Sequence, residues 1–203
     1  MARELARLDI VTAALGEVRF AERGSLRENG AGYTLSWSGE NRDERRLSGV
    51  GLMIKTSIAR KLQNLPVRHS DRIMSLRLQV QDNKFATVLS VYVPTLQAET
   101  GVKEAFYLDL HNLLQQVVSK DKLISGDLNA RVGRDFELWK GVLCRHGIGN
   151  CNDNGRSLLE FCSDPQLNIT NTLFLQKDRF EATWRHPRLQ TLAPPGLRRN
   201  SAA

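Results

Sequence analysis

No apolar run in the 203 residues approaches the roughly 18–20 that a membrane-spanning helix needs, so nothing reads as a transmembrane segment. Residues 1–7 mix charges of both signs and lack the basic-then-apolar layout of a secretory signal, which predicts an intracellular protein, with nucleus and cytoplasm undistinguished. Cysteine is scarce: Cys144, Cys151 and Cys162 form an odd set without C-x-x-C spacing, which reads as reduced thiols. Cys144 and His146 are close in sequence, but they have no companions at zinc-ligand spacing. Gly147-Ile148-Gly149 does not complete a dinucleotide fingerprint, and no full calcium-loop pattern surrounds Asp153-Asn154-Gly155, which reads as a turn.

The apolar fraction of 41% and charged fraction of 25% are those of an ordinary globular protein, and the length suits one domain with a sizeable core. The net charge of +7 invites a nucleic-acid partner. However, Arg185, Arg188, Arg198 and Arg199 lie in an acid-free stretch, residues 185–203, and carry four of those seven charges. The body is only mildly basic. Residues 189–203, with Pro194-Pro195-Gly196, show no usable periodicity and read as a divergent basic tail, disordered or foreign to the fold. The predicted organisation is one domain over 1–188 followed by that tail.

Residues 3–8 fit the end of an amphipathic helix, and 10–15 form a continuous apolar run expected for a strand covered on both faces. Strands are also predicted at 33–37, 49–54 and 73–80, and at 85–93 as the hairpin partner of 73–80 across Asp82-Asn83. Further strands are expected at 122–125, at 167–173 (including the sequon Asn168-Ile169-Thr170) and from Ala182-Thr183-Trp184 onward. Residues 103–119 place Phe106, Leu110, Leu113, Leu114 and Val117 at helical spacing, and a second helix follows at 154–164. Helices interleaved with strand hairpins argue for mixed sheets packed face to face with helices outside.

The segment KLISGDLNARV, 122–132, carries the most chemistry. A hydrophobic strand ends at glycine, and Asp127 and Asn129 follow at i, i+2, so an extended chain points both to one side. A carboxylate can hold or deprotonate a water while an amide orients it and hydrogen-bonds a phosphoryl oxygen. The alternative is an Asx-rich turn that caps the next segment. Glu17 leaves its strand in the same way, directly after Gly16, and hard cations such as Mg²⁺ are held by one or two carboxylates plus substrate phosphates. Its alternative is a solvated loop residue paired with Arg19 or Arg23.

In order along the chain come AALGEVRF at 13–20, GAGYTLSWSG at 30–39, GVGLMIKTSIARKL at 49–62, SDRIMSLRL at 70–78 and SVYVPT at 90–95. GDLNARVG follows at 126–133, GNCNDNGRSLLEFC at 149–162, NTLF at 171–174 and ATWRHPR at 182–188. Together they resemble the endonuclease/exonuclease/phosphatase (DNase I-like) superfamily. More narrowly they resemble the apurinic-type endonuclease domain of RTE/BovB non-LTR retrotransposons, with its craniofacial development protein 2-like host copies.

The resemblance implies an α/β fold, a four-layer sandwich of two mixed β-sheets flanked by helices. It also implies Mg²⁺ (or Mn²⁺), DNA as partner, and phosphodiester hydrolysis that nicks a retrotransposon target. By resemblance Glu17 is the metal-binding glutamate, Asp127 and Asn129 handle the attacking water and phosphate, and Tyr92 donates to the scissile phosphate. Arg72 matches a recurrent arginine, and Asn171 and Trp184 lie in segments that line the nucleic-acid groove in relatives.

The family's first strand and its closing Ser-Asp-His have no counterpart here. Ser70-Asp71 is followed by Arg72, and Ser163-Asp164 by Pro165. Position 16 is glycine where relatives carry a polar residue. From this a chain shortened at both ends is expected, inactive or weakly active and less stable, prone to self-association through an exposed sheet edge. The competing expectation is a non-catalytic remnant that binds nucleic acid or protein.

Overall fold

The computed structural model describes residues 1–45, 47–117 and 122–175, together with the backbone of Trp184–Arg185 and Leu192–Ala193. The chain divides into two compact units, Met1–Val93 with Leu108–Asp127, and Pro94–Tyr107 with Leu128–Ala203. Among the described residues no helix is long and apolar enough to cross a membrane.

The first unit is built on two four-stranded sheets. After α1 (Ala2–Arg7), strands β1 (Thr12–Gly16), β2 (Arg23–Glu28), β3 (Tyr33–Ser38) and β4 (Val50–Lys55) form an antiparallel sheet in the order β1-β4-β3-β2. A short α2 (Thr56–Ala59) leads to β5 (Val67–Arg68), β6 (Ile73–Gln81) and β7 (Lys84–Tyr92). The expected hairpin joins β6 to β7, with Asn83 in the left-handed region (φ 60°) that asparagine tolerates best among residues with a Cβ. Helix α3 (Thr100–Gln116) then carries the chain to β8 (Lys122–Asp127), which pairs parallel to β7 and completes the mixed order β5-β6-β7-β8. A parallel neighbour needs such a crossover.

Valines, leucines and isoleucines at alternate positions explain why the sheets stack. Val50, Leu52 and Ile54 of β4 meet Met74, Leu76, Val88 and Tyr92 of β6 and β7 in one buried cluster. The Ser90 hydroxyl crosses that interface and donates to the Gly51 carbonyl at 2.9 Å, satisfying a buried polar group. On the other face of the second sheet Leu89 and Val91 are also buried, and Ile73 and Leu113 line one concavity there.

The second unit holds the first half of α3, a long loop, α4 (Asp153–Ser163) and a short 3-10 turn at Thr170–Thr172. Its core is Val142, Leu143, Leu158, Leu159 and Cys162, with Tyr107, Phe161, Leu167 and Ile169 packed against it. The backbone of Trp184–Arg185 pairs antiparallel with that of Leu192–Ala193 (β9 and β10).

Several expectations change. The apolar run at 10–15 forms β1, but that strand is half-buried and pairs only with β4 among the described residues. Continuous apolarity cannot tell an edge strand from a central one. Residues 167–173 form no strand: the Thr172 hydroxyl donates to the Ile169 carbonyl (2.7 Å) and accepts from the Cys144 amide (2.9 Å), and such local side-chain bonding competes with a strand ladder. Strand β2 was not anticipated, because RGSLRE is mostly exposed and gives no apolar alternation. Among the described residues the first sheet is antiparallel throughout, and the second is mixed through the parallel pair β7–β8. The proposed tail lies outside the described residues apart from the Leu192–Ala193 backbone.

Leu52 is fully buried in the inter-sheet cluster whereas Leu26 is 59% exposed. Leu52→Ala is expected to cost about 2–5 kcal/mol in urea unfolding, and Leu26→Ala to stay within about 0.5 kcal/mol of the parent.

Candidate active site

Three strand ends of the first unit supply the polar side chains. Glu17 follows β1 in the left-handed region at φ 51°, a conformation that costs a residue with a Cβ energy unless its surroundings hold it. The hold is visible: the next amide, of Val18, donates to the Gly49 carbonyl at 3.0 Å. The Glu17 side chain is 15% exposed, with Oε2 receiving the Arg19 guanidinium at 3.2 Å. Its Oε1 accepts from the Tyr92 hydroxyl at 3.1 Å.

Tyr92 ends β7, and the parallel register makes it the Cα partner of Asp127 at the end of β8. The Val93 amide closes the rim by donating to the Asp127 carbonyl at 3.0 Å. Gly126 sits at φ 145°, and a Cβ there would lie 1.9 Å from the Val91 carbonyl oxygen, so only glycine lets β8 approach and deliver Asp127. Gly16 has its own closeness: a Cβ on it would lie 3.2 Å from the Asp127 Cβ and 3.4 Å from Cδ2 of Tyr92. Glu17, Tyr92 and Asp127 therefore meet at one edge of the stacked sheets.

Electrostatics agrees with the geometry. Burial pushes the Tyr92 hydroxyl up to about 12, reinforced by the Glu17 charge and hydrogen bond and by the Asp127 charge, with Arg72 opposing. The phenol is thus a proton-bearing donor at neutral pH.

Arg72 lies against this tyrosine. Its guanidinium carbon is 5.2 Å from the ring centroid, within cation–π range, and Nη1 donates to the Tyr92 carbonyl at 3.4 Å. The Arg72 carbonyl accepts the Tyr92 amide at 2.9 Å. Its Nε is 3.6 Å from Asp71 Oδ2, which also accepts from the Ser48 hydroxyl at 2.5 Å. Asp71 and Ser48 were not anticipated, although the run Ser70-Asp71-Arg72 marked the place.

Asn129 belongs to the second unit. It is 6% exposed, takes φ 46°, and its carbonyl accepts from the Asn154 side-chain Nδ2 at 3.1 Å. Asn171 is exposed in the 3-10 turn of the same unit. The Trp184 side chain lies outside the described residues.

Glu17 and Asp127 are the acidic pair that could face a cation. Among the described residues no group of three or more His, Cys, Asp or Glu side chains forms a metal cage. Two carboxylates at the strand ends suit Mg²⁺, since that ion keeps waters and substrate oxygens among its ligands.

The architecture is the DNase I-like α/β fold. The structure of the AP endonuclease LMAP from Leishmania major superposes with a TM-score of 0.52 over 80% of this chain and 59% of that one, at 14% identity. Craniofacial development protein 2 of Bos taurus is 35% identical over 186 residues, and that of Tragulus javanicus 34% over 186, covering 91% of this chain in each case. At 14% identity the likeness to the AP endonuclease is one of fold. The chain spans 30 and 31% of the length of those two relatives. No protein-family model matches it.

Because the Tyr92 value lies above that of an unfolded tyrosine near 10, its contribution to stability is complete below pH 10 and is lost as pH rises toward 12. Melting temperatures across that interval are expected to fall less in Tyr92→Phe than in the parent chain.

Proposed function

We propose that the Glu17–Tyr92–Asp127 rim is part of a Mg²⁺-dependent DNA endonuclease site of apurinic type. The observation that carries this is the meeting of two carboxylates and a protonated phenol at the ends of β1, β7 and β8, in the fold of an AP endonuclease. The ordered motif series supports an origin in an RTE/BovB-type retrotransposon, with residues 1–188 acting as one nuclease-like domain.

Glu17 would hold the cation, with Asp127 beside it; the metal when bound neutralises phosphate charge and lowers the pKa of a bound water. The chain's own groups supply the rest. Tyr92, kept protonated, donates to a non-bridging oxygen of the scissile phosphate. Asp127 accepts a proton from the attacking water, and the Asn129 amide orients that water. The new P–O bond forms as the bond to the 3′ oxygen breaks, and that oxygen takes a proton from solvent to leave a 3′ hydroxyl. The 203 residues contain four histidines and no Ser-Asp-His, and a missing positioned acid or base lowers rates by about 10²–10⁴. Slow turnover is therefore expected.

Supercoiled plasmid incubated with the chain and Mg²⁺ should be nicked slowly, with EDTA abolishing the activity and Asp127→Ala reducing it at least about 10²-fold. Added Mn²⁺ should broaden the NMR signals of Glu17, Tyr92 and Asp127. Nicking that survives EDTA or Asp127→Ala would remove the assignment. Duplex binding with metal-insensitive signals and no nicking would favour the non-catalytic nucleic-acid-binding remnant.

A further inference from the structure

Within the second unit, Asn154 is an asparagine where a helix has little use for one. It is the second residue of α4, within the first turn of a helix that Asn152 already caps by accepting from the Gly155 amide at 2.8 Å. Asn154 is 1% exposed, and its Oδ1 is buried with no hydrogen-bond partner among the described residues. A buried, half-satisfied amide is costly, so helix stability alone does not explain it.

Its Nδ2 group does. One proton goes to the Pro94 carbonyl at 2.9 Å and the other to the Asn129 carbonyl at 3.1 Å. In sequence these acceptors stand two residues after Tyr92 and two after Asp127. Asn129 holds the left-handed φ of 46° at which its carbonyl is caught.

A second staple secures the same loop. Asn152 Oδ1 accepts from the Arg131 amide at 3.0 Å, and the Asn152 amide donates to the Arg131 carbonyl at 3.0 Å. A Cβ on Gly155 would lie 1.7 Å from that carbonyl oxygen, so glycine is what lets the helix start press onto the loop.

We infer that Asn154 is a positioning residue that sets the backbone conformation, and hence the amide direction, of Asn129. The inference deepens the proposed endonuclease reading and rests on it for the role of Asn129. Asn154 does not touch substrate; it acts through two backbone carbonyls. A misdirected amide leaves the water poorly oriented while DNA is still bound, so the loss appears in turnover and not in affinity.

The test compares Asn154→Ser with Leu159→Ala, which loosens the core under the same helix without touching the staple. Plasmid nicking by Asn154→Ser should show kcat lowered about 10- to 100-fold with KM unchanged. Leu159→Ala, assayed well below its melting temperature, should keep the parent kcat. Equal losses in the two variants would overturn the assignment.

Two readouts need no activity. In the parent chain, through-hydrogen-bond couplings should link the Asn154 side-chain nitrogen to the Pro94 and Asn129 carbonyl carbons; their absence overturns the staple even if no variant folds. In Asn154→Ser the backbone shifts of Asn129 should leave the left-handed range, and shifts that stay in place would overturn the positioning role. A parent chain that fails to nick DNA removes the endonuclease reading alone, since these NMR results still decide the positioning.

Discussion

The hydrogen bond from the Tyr92 hydroxyl to Glu17 ties together the ends of strands in two different sheets. It forms only when β1 and β7 finish at the same edge, which the packing of β4 against β6 and β7 enforces. Tyr92 belongs to that inter-sheet cluster and to the polar rim at once. Its ring is buried with Leu52 and Leu76 while its oxygen faces two carboxylates, so the core fixes the donor and the donor fixes Glu17. Arg72, stacked near the ring and bonded to the Tyr92 main chain, adds an opposing charge that tempers the field of Glu17 and Asp127.

Local strain gathers around the polar residues. Glu17 and Asn129 both take left-handed backbone angles, each at a cost of about 1–3 kcal/mol for such a residue. Both are held by hydrogen bonds, Glu17 through the backbone Val18–Gly49 pair and Asn129 through its carbonyl, which accepts from the Asn154 side chain. Gly126 contributes differently, removing a side chain so that β8 can lie close enough for Asp127 to be delivered. These are departures from regular strand geometry at strand exits, where a carboxylate or amide must turn away from the sheet.

Particular residues show how far the sequence could be read. The hairpin at Asp82-Asn83 was legible because alternation on both sides and a turn residue between them are local signals. Helix α3 was legible from its spacing, though it starts and ends about three residues before the apolar pattern suggests. GDLNA announced a strand exit bearing Asp127, and GE at 16–17 another. Strand β2 was invisible because its partner, not its own composition, makes it a strand. The strand expected at 167–173 failed because a threonine hydroxyl satisfied the backbone locally.

By itself the sequence determined which strand ends would carry acid, amide and phenol, since glycine breaks and apolar runs are properties of consecutive residues. It also determined the fold class, through the order of its motifs. Only the tertiary structure decided that Glu17, Tyr92 and Asp127 meet, that Arg72 turns inward to the tyrosine, and that the Asn154 side chain bonds the Asn129 carbonyl. The hydrogen bonds among them join residues 20 to 75 positions apart, and the registers and packing that create them arise from many side chains acting together, which no single stretch of chain encodes.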